Sequence, residues 1–118
     1  MSHSPVSKLA ERKADPITSD LDGWKKVDGK PTMRTWIEYK SDAENLMAGW
    51  WEATPGTYHA TYATWEYVHM IEGRITITPD GGDAYEVGPD DVFVIEAGFK
   101  GTWEITEKVL KHFVMKTG

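Results

Sequence analysis

Cysteine is absent from the 118 residues of this chain, which excludes disulfides, thiolate nucleophiles and sulfur-bound metals together. Any metal would have to be held by His, Asp, Glu or water. Long apolar runs are missing too. No stretch approaches the roughly eighteen residues of a membrane span, and the opening MSHSPVSKLAERKADP lacks the apolar segment of a secretory signal. A soluble, cytoplasmic protein with no membrane partner is the expectation. Positive charge is scarce: 13 Lys and Arg stand against 19 Asp and Glu, a net charge of −6, with no basic run. Such a field repels phosphate backbones, so nucleic acid is excluded as a partner. No Gly-rich loop opens a helix, which argues against a nucleotide fold, and no Ser has a partnered His in a recognisable hydrolase arrangement.

What is there is β-rich and aromatic. Residues 1–22 are polar and Pro-punctuated and are expected to form a flexible N-terminal arm. LAERKA at 9–14 has the makings of a helical turn or two, marginal unless it docks on the body or on a partner chain. From Gly23 to Gly118 one domain is expected, since a chain this long suits a single core. Short strand-like runs recur there between turn residues. MRTWIEY at 33–39 alternates Met, Thr, Ile and Tyr against polar neighbours, with Trp36 interrupting. AGWWEA, TYHATY, EYVHMIEG, RITITP, AYEV, DVFVI, TWEITEK and KHFVMK follow. Asp80, Gly81, Gly82 and Asp83 form the strongest hairpin signal. Short antiparallel strands in this number must close or stack to hide their edges, so an all-β sandwich or barrel is predicted. Six Trp, five Tyr and three Phe would fill a small barrel largely with rings, leaving gaps suited to a flat ligand.

GWWEATPG at 49–56, Glu66 with EGRITIT at 72–78, and VGPDDVFVIEAGFKGTWEI at 87–105 ending in KHFV together resemble the cupin superfamily. Within it they are similar to the ureidoglycine-aminohydrolase-like group, cupin type 3. The resemblance spans about Trp24 to Lys116 and implies a jelly-roll barrel (double-stranded β-helix). In the cupin first motif Glu66 and Gly73 match. The two histidine positions fall on Ala60 and Tyr62, or with a longer spacer on His59 and Thr61. In the second motif Gly88 and Gly98 resemble the glycines with longer spacing, Glu96 replaces the proline, Gly101 stands at the histidine and Ile105 at the asparagine. Of the usual ligand set only Glu66 remains. One carboxylate does not hold a divalent ion tightly, so no metal and no other cofactor is expected at the usual cupin site.

Glu66, placed by the resemblance in the barrel interior, is the candidate catalytic residue: a general acid or base, or an anchor for a ligand amine or hydroxyl. Its alternative is a structural carboxylate bonded to Tyr62 or to backbone amides. Tyr62 and Trp103 are the candidate ligand contacts. Trp103 shares strand parity with Gly101 and Ile105, and it either stacks on a planar ligand or plugs the space that a missing imidazole leaves. His69 has the opposite parity to Glu66 and His59 the wrong parity to join Tyr62. Both enter as secondary ligand-binding candidates, with packing or interface roles as the alternative. His112 is expected to be structural.

Three functions follow as expectations. The first is a cupin that binds a small polar or planar metabolite in its barrel without a tightly bound metal. The second, which the resemblance implies, is metal-dependent chemistry on ureido or amino-acid-like carbon–nitrogen compounds, with His59 or His69 turned inward by a bulge. The third is a structural or interaction protein with a sealed barrel. Edge strands and the arm lead to the expectation of a homodimer.

Overall fold

The computed structural model describes residues 5–43 and 45–117. The first four residues of the expected arm, and Gly118 at the end of the expected domain, lie outside them. Eight strands account for the regular structure: β1 Trp24–Asp28, β2 Met33–Lys40, β3 Leu46–Ala53, β4 Gly56–Thr61, β5 Trp65–Pro79, β6 Tyr85–Val87, β7 Val92–Ile95 and β8 Lys100–Lys116. Among the described residues no helix is long and apolar enough to cross a membrane.

All pairings are antiparallel, and two long strands organise them. β8 lies along β5 over nearly its full length. On its other side the first half of β8 pairs with β4, from Lys100 to Ile105, and the second half pairs with β3, from Val109 to Lys116. β1 adds to β4, β2 to β3, and β6 and β7 to opposite ends of β5. The result is a curled sheet whose two halves share β5 and β8. Register breaks in β5 between Met70 and Ile75 mark the bend. Residues from both halves meet in one core: Trp24, Tyr58 and Trp103 from one, Met33, Trp51, Val68 and Phe113 from the other. This curled, all-β, antiparallel arrangement is the one expected from the sequence.

Three details differ from the sequence reading. EYVHMIEG and RITITP are one strand, as are TWEITEK and KHFVMK. Gly73, which read as a stop, is the corner of a continuous strand. Its φ is +93°, and a Cβ there would lie 2.2 Å from the Lys108 carbonyl oxygen, so only glycine lets β5 turn against β8. β1, WKKVD, carries too little alternation to stand out, because only Trp24 in it is buried.

The third difference lies in the arm, where LAERKA is irregular and bent rather than helical. Its polar groups are used by the body instead. Lys13 and Ala14 donate backbone N–H groups to the Glu38 carboxylate at 3.0 and 2.8 Å. The Leu9 carbonyl accepts from the Trp50 indole, and the Arg12 guanidinium lies over the rings of Trp36 and Trp50. Ile17 then bridges to Thr35, and Asp20 accepts from the Tyr58 hydroxyl at 2.8 Å. Trp36, which broke the alternation of its strand, is the outward ring that the arm covers.

The corner makes a prediction. Gly73→Ala is expected to destabilise the fold by at least ~1–3 kcal/mol, the usual cost of a residue forced into a sparsely populated backbone region, because a backbone clash is added to the strain. Gly81→Ala has a similar positive φ, but nothing lies within 4 Å of its added Cβ. Urea unfolding midpoints should therefore fall further for the Gly73 variant, and equal losses would refute the corner assignment.

Candidate functional site

Alternation along β5 turns Glu66, Val68 and Met70 inward, and along β8 it turns Val109, Lys111 and Phe113 inward. Glu66 and Lys111 thus share the inner face of adjacent strands, offset along them by four residues, a gap that the two side chains close by reaching toward each other. Lys111 Nζ donates to Glu66 Oε2 at 2.8 Å. Tyr62, on the turn after β4, donates its hydroxyl to Glu66 Oε1 at 2.6 Å. That turn is fixed by two backbone bonds, Tyr62 N–H to the Phe99 carbonyl and Gly98 N–H to the Tyr62 carbonyl, both 2.8 Å. Glu66 is 2 % exposed and Lys111 1 %.

A buried ion pair is tolerated only when geometry and extra partners offset desolvation, and both are present here. Each carboxylate oxygen has its own donor. The ammonium sits 4.5 Å from the Trp51 ring centroid and 4.6 Å from that of Trp103, so two indole faces take up positive charge that water would otherwise solvate. Burial pushes the Lys111 ammonium below the usual lysine range, and the neighbouring carboxylate opposes that shift. Burial, then the charge and hydrogen bond of Glu66, push the Tyr62 phenol well above its ordinary value. Tyr62 is therefore a fixed donor at any physiological pH.

The pair opens onto a cavity of about 230 Å³ whose walls include Leu21, Trp24, Ile37, Trp51, Phe113 and Met115. Lys40 also lines it, and so does Thr35. Thr35 is buried, and its Oγ1 has no hydrogen-bond partner among the described residues. Buried polar atoms are nearly always bonded; Trp103 Nε1 and His112 Nε2 likewise have no partner among the described residues, and of the three only Thr35 lines this cavity. A larger cavity, about 460 Å³, lies between β6 and β7 against Ile77, Val87, Phe93 and Phe99. Its lining is apolar apart from Glu96, and it holds none of this chemistry.

The structure brings together Glu66, Tyr62 and Trp103 from the sequence candidates. Trp103 is fully buried, packed on Trp24, Trp51 and stacked at 20° on Tyr62. The two secondary candidates stand elsewhere. His59 faces outward from β4 and pairs with Asp80 at 3.1 Å. His69 faces outward from β5 beside Asp90, at 3.9 Å, and near His112. His112 packs edge-on against Trp50 with ring centroids 3.8 Å apart. Lys111 and Thr35 are the residues that sequence reasoning missed. Both share parity with recognised core positions, Phe113 and Met33, and that signal was available.

The residues present do not fit a divalent cation. Lys111 already sets a positive charge on the one carboxylate that the cupin pattern supplies. The position of the second-motif histidine is closed, because a Cβ on Gly101 would lie 2.4 Å from the Thr78 carbonyl oxygen and 2.7 Å from the Phe99 ring. Among the described residues no three His, Asp or Glu side chains are grouped to hold a metal ion.

The sequence profile of the EutQ-like cupin domain matches residues 40–113. Solved structures agree on the fold. The Clostridium difficile EutQ protein shares 19% identity over 74% of this chain and 69% of its own, with a TM-score of 0.65. A protein of unknown function from Pseudomonas syringae pv. tomato shares 22% over 90% of this chain, with a TM-score of 0.72, and the chain spans 46% of its length. Ectoine synthase from P. lautus shares 19% over 96% of this chain and 78% of its own, with a TM-score of 0.69. No curated protein matches the sequence significantly.

Two predictions follow from the geometry. Lys111→Met should cost about 3–5 kcal/mol, since it leaves a buried carboxylate without its counter-charge, and the Glu66→Leu/Lys111→Met pair should regain most of that loss. A double-mutant cycle by urea unfolding measures the coupling, and additive losses would show that the pair is not coupled. The second concerns His112, whose folded pKa is lowered from 6.5 by burial and then by His69. The unfolded chain therefore takes up this proton at higher pH than the native one, so stability from this site falls as pH drops below 6.5. His112→Gln should flatten the slope of the urea midpoint against pH below 6.5, and an unchanged slope would contradict the assignment.

Proposed function

Because the chain belongs to the EutQ-like cupin domain family, we propose that it is a cupin whose barrel binds a small carboxylate-bearing metabolite without a resident metal. The observation that supports this reading is the convergence of Glu66, Lys111 and an unpartnered Thr35 hydroxyl on one ring-walled cavity. Ligand sites of this kind are mostly apolar, with a few placed polar groups that fix orientation. Here Glu66 and Lys111 neutralise each other, and Lys40 leaves the lining with one net positive charge. A ligand carboxylate balances it. A hydrogen-bond donor on the ligand would meet Thr35 Oγ1, and the rest of the molecule would lie on Trp24 and Trp51.

The alternative, metal-dependent chemistry on ureido compounds as in the ureidoglycine-aminohydrolase-like cupins, is disfavoured by the ammonium at Glu66 and the closed position at Gly101. A sealed barrel draws support from the packing of Trp103. It leaves the Thr35 hydroxyl without a reason, and so ranks second.

Thermal-shift screening with amino acids, ureides and small hydroxy and oxo acids tests the proposal. A ligand at about 100 times its Kd stabilises by ~2.7 kcal/mol, which raises Tm by roughly 10 °C or more in a domain of this size. Thr35→Val preserves shape and removes the orphan hydroxyl. It should leave the unliganded protein at least as stable and weaken the best ligand by about 2–10-fold, the worth of one hydrogen bond. A panel in which nothing shifts Tm, or a ligand indifferent to Thr35→Val, would sink this reading.

A further inference from the structure

The polar cluster contains the parts of an amine catalyst, and we propose that Lys111 condenses reversibly with the carbonyl of a small oxo acid to form an imine in the barrel. This rests on the cavity being a ligand site, and it assigns that site a covalent chemistry. Three observations carry it. Lys111 is the cavity's buried amine, lining it alongside apolar side chains. A carboxylate able to take and return protons lies 2.8 Å from its nitrogen. That carboxylate is held on its far oxygen by a phenol that keeps its proton.

The first step is proton transfer along the existing hydrogen bond. It turns ammonium and carboxylate into amine and carboxylic acid, a neutral pair that a ring-lined site accommodates better than two charges. Burial weakens the hold of the Lys111 ammonium on its proton, in line with this. Lysines that act as nucleophiles are activated by such desolvation. The amine nitrogen then attacks the carbonyl carbon, forming the C–N bond. Glu66 gives its proton to the resulting alkoxide and takes one from the nitrogen, leaving a neutral carbinolamine. The same acid protonates the carbinolamine hydroxyl, the C–O bond breaks and water departs. The product is an iminium that keeps one proton on nitrogen, paired with the Glu66 carboxylate. Of the three ammonium protons, two leave in the water and one remains. Tyr62 is a positioning residue, since it touches Glu66 rather than the carbonyl. An oxo acid fits because its carbonyl consumes the amine while its carboxylate still meets the positive charge of Lys40.

The experiment uses the full chain with pyruvate and sodium cyanoborohydride, followed by intact mass and peptide mapping, with lactate binding measured in parallel by calorimetry. Lactate has the same carbon skeleton and carboxylate but no carbonyl. The expected result is a single reduced adduct on the peptide spanning Lys111, formed ahead of any exposed lysine. It should be lost in Lys111→Arg, which keeps the charge, and slowed at least 10-fold in Glu66→Gln. If lactate binds and pyruvate leaves no adduct on Lys111, the imine is overturned and the binding reading stands. If neither lactate binding nor an adduct is seen, both fail. Labelling of surface lysines at the same rate as Lys111 overturns the imine as well.

Discussion

The ion pair between Glu66 and Lys111 is the constraint around which the interior is arranged. Removing two charges from water costs several kcal/mol for each ion even after relaxation, and the barrel has little polar material with which to offset it. Every contact of the pair answers that cost. One carboxylate oxygen takes the ammonium and the other takes the Tyr62 hydroxyl. The sides of the ammonium left without an oxygen partner face indole rings rather than aliphatic groups. The cluster's formal charge sums to zero, so no further ion need enter to complete it.

Bringing those partners together requires the two halves of the sheet to fold over one another. Trp51 belongs to β3, on the half that pairs with the end of β8, and Trp103 to the first half of β8 itself. They lie 5.8 Å apart across the core, with Trp24 of β1 against both. That meeting depends on β5 and β8 bending without breaking, which is the work of Gly73 against the Lys108 carbonyl. The two cavities differ in lining. One receives the polar cluster, while the other, between β6 and β7, receives only apolar walls and Glu96.

Much of this was legible in the residues. The resemblance placed Glu66 inside, period-two alternation set Trp103 with Gly101 and Ile105 and set His69 opposite to Glu66, and the Asp80–Asp83 hairpin falls where β5 ends. The lysine was harder to see because charge ordinarily signals solvent: in KHFVMK only the histidine was weighed, and as a structural residue. Parity alone sets Lys111 with Val109 and Phe113, but a buried lysine is believable only once a counter-charge is in view, and Glu66 lies 45 residues away in sequence. The long strands were divided for a related reason. Glycine within a strand pattern reads as a stop, whereas its role at Gly73 is set by a carbonyl on another strand. Thr35 falls in the alternating set of its strand with Met33, Ile37 and Tyr39, yet a hydroxyl without a partner is a property of its surroundings and has no signature in one segment.

The absence of the cupin imidazoles and the presence of Lys111 are physically one event. The resemblance sets Ala60, Tyr62 and Gly101 at the usual imidazole positions beside Glu66, and without Lys111 the barrel would hold a lone carboxylate among rings, a state that would drive it to protonate or to admit water. A metal could not repair this, since one oxygen ligand does not bind an ion tightly. A lysine from the neighbouring strand can, because its charge arrives covalently attached and needs one good acceptor rather than three or four. Tyr62 completes the cluster by donating to the carboxylate oxygen that the ammonium leaves free. A fixed amine beside an acid is a different kind of reagent: it can hold a charge or, by handing over one proton, become a nucleophile.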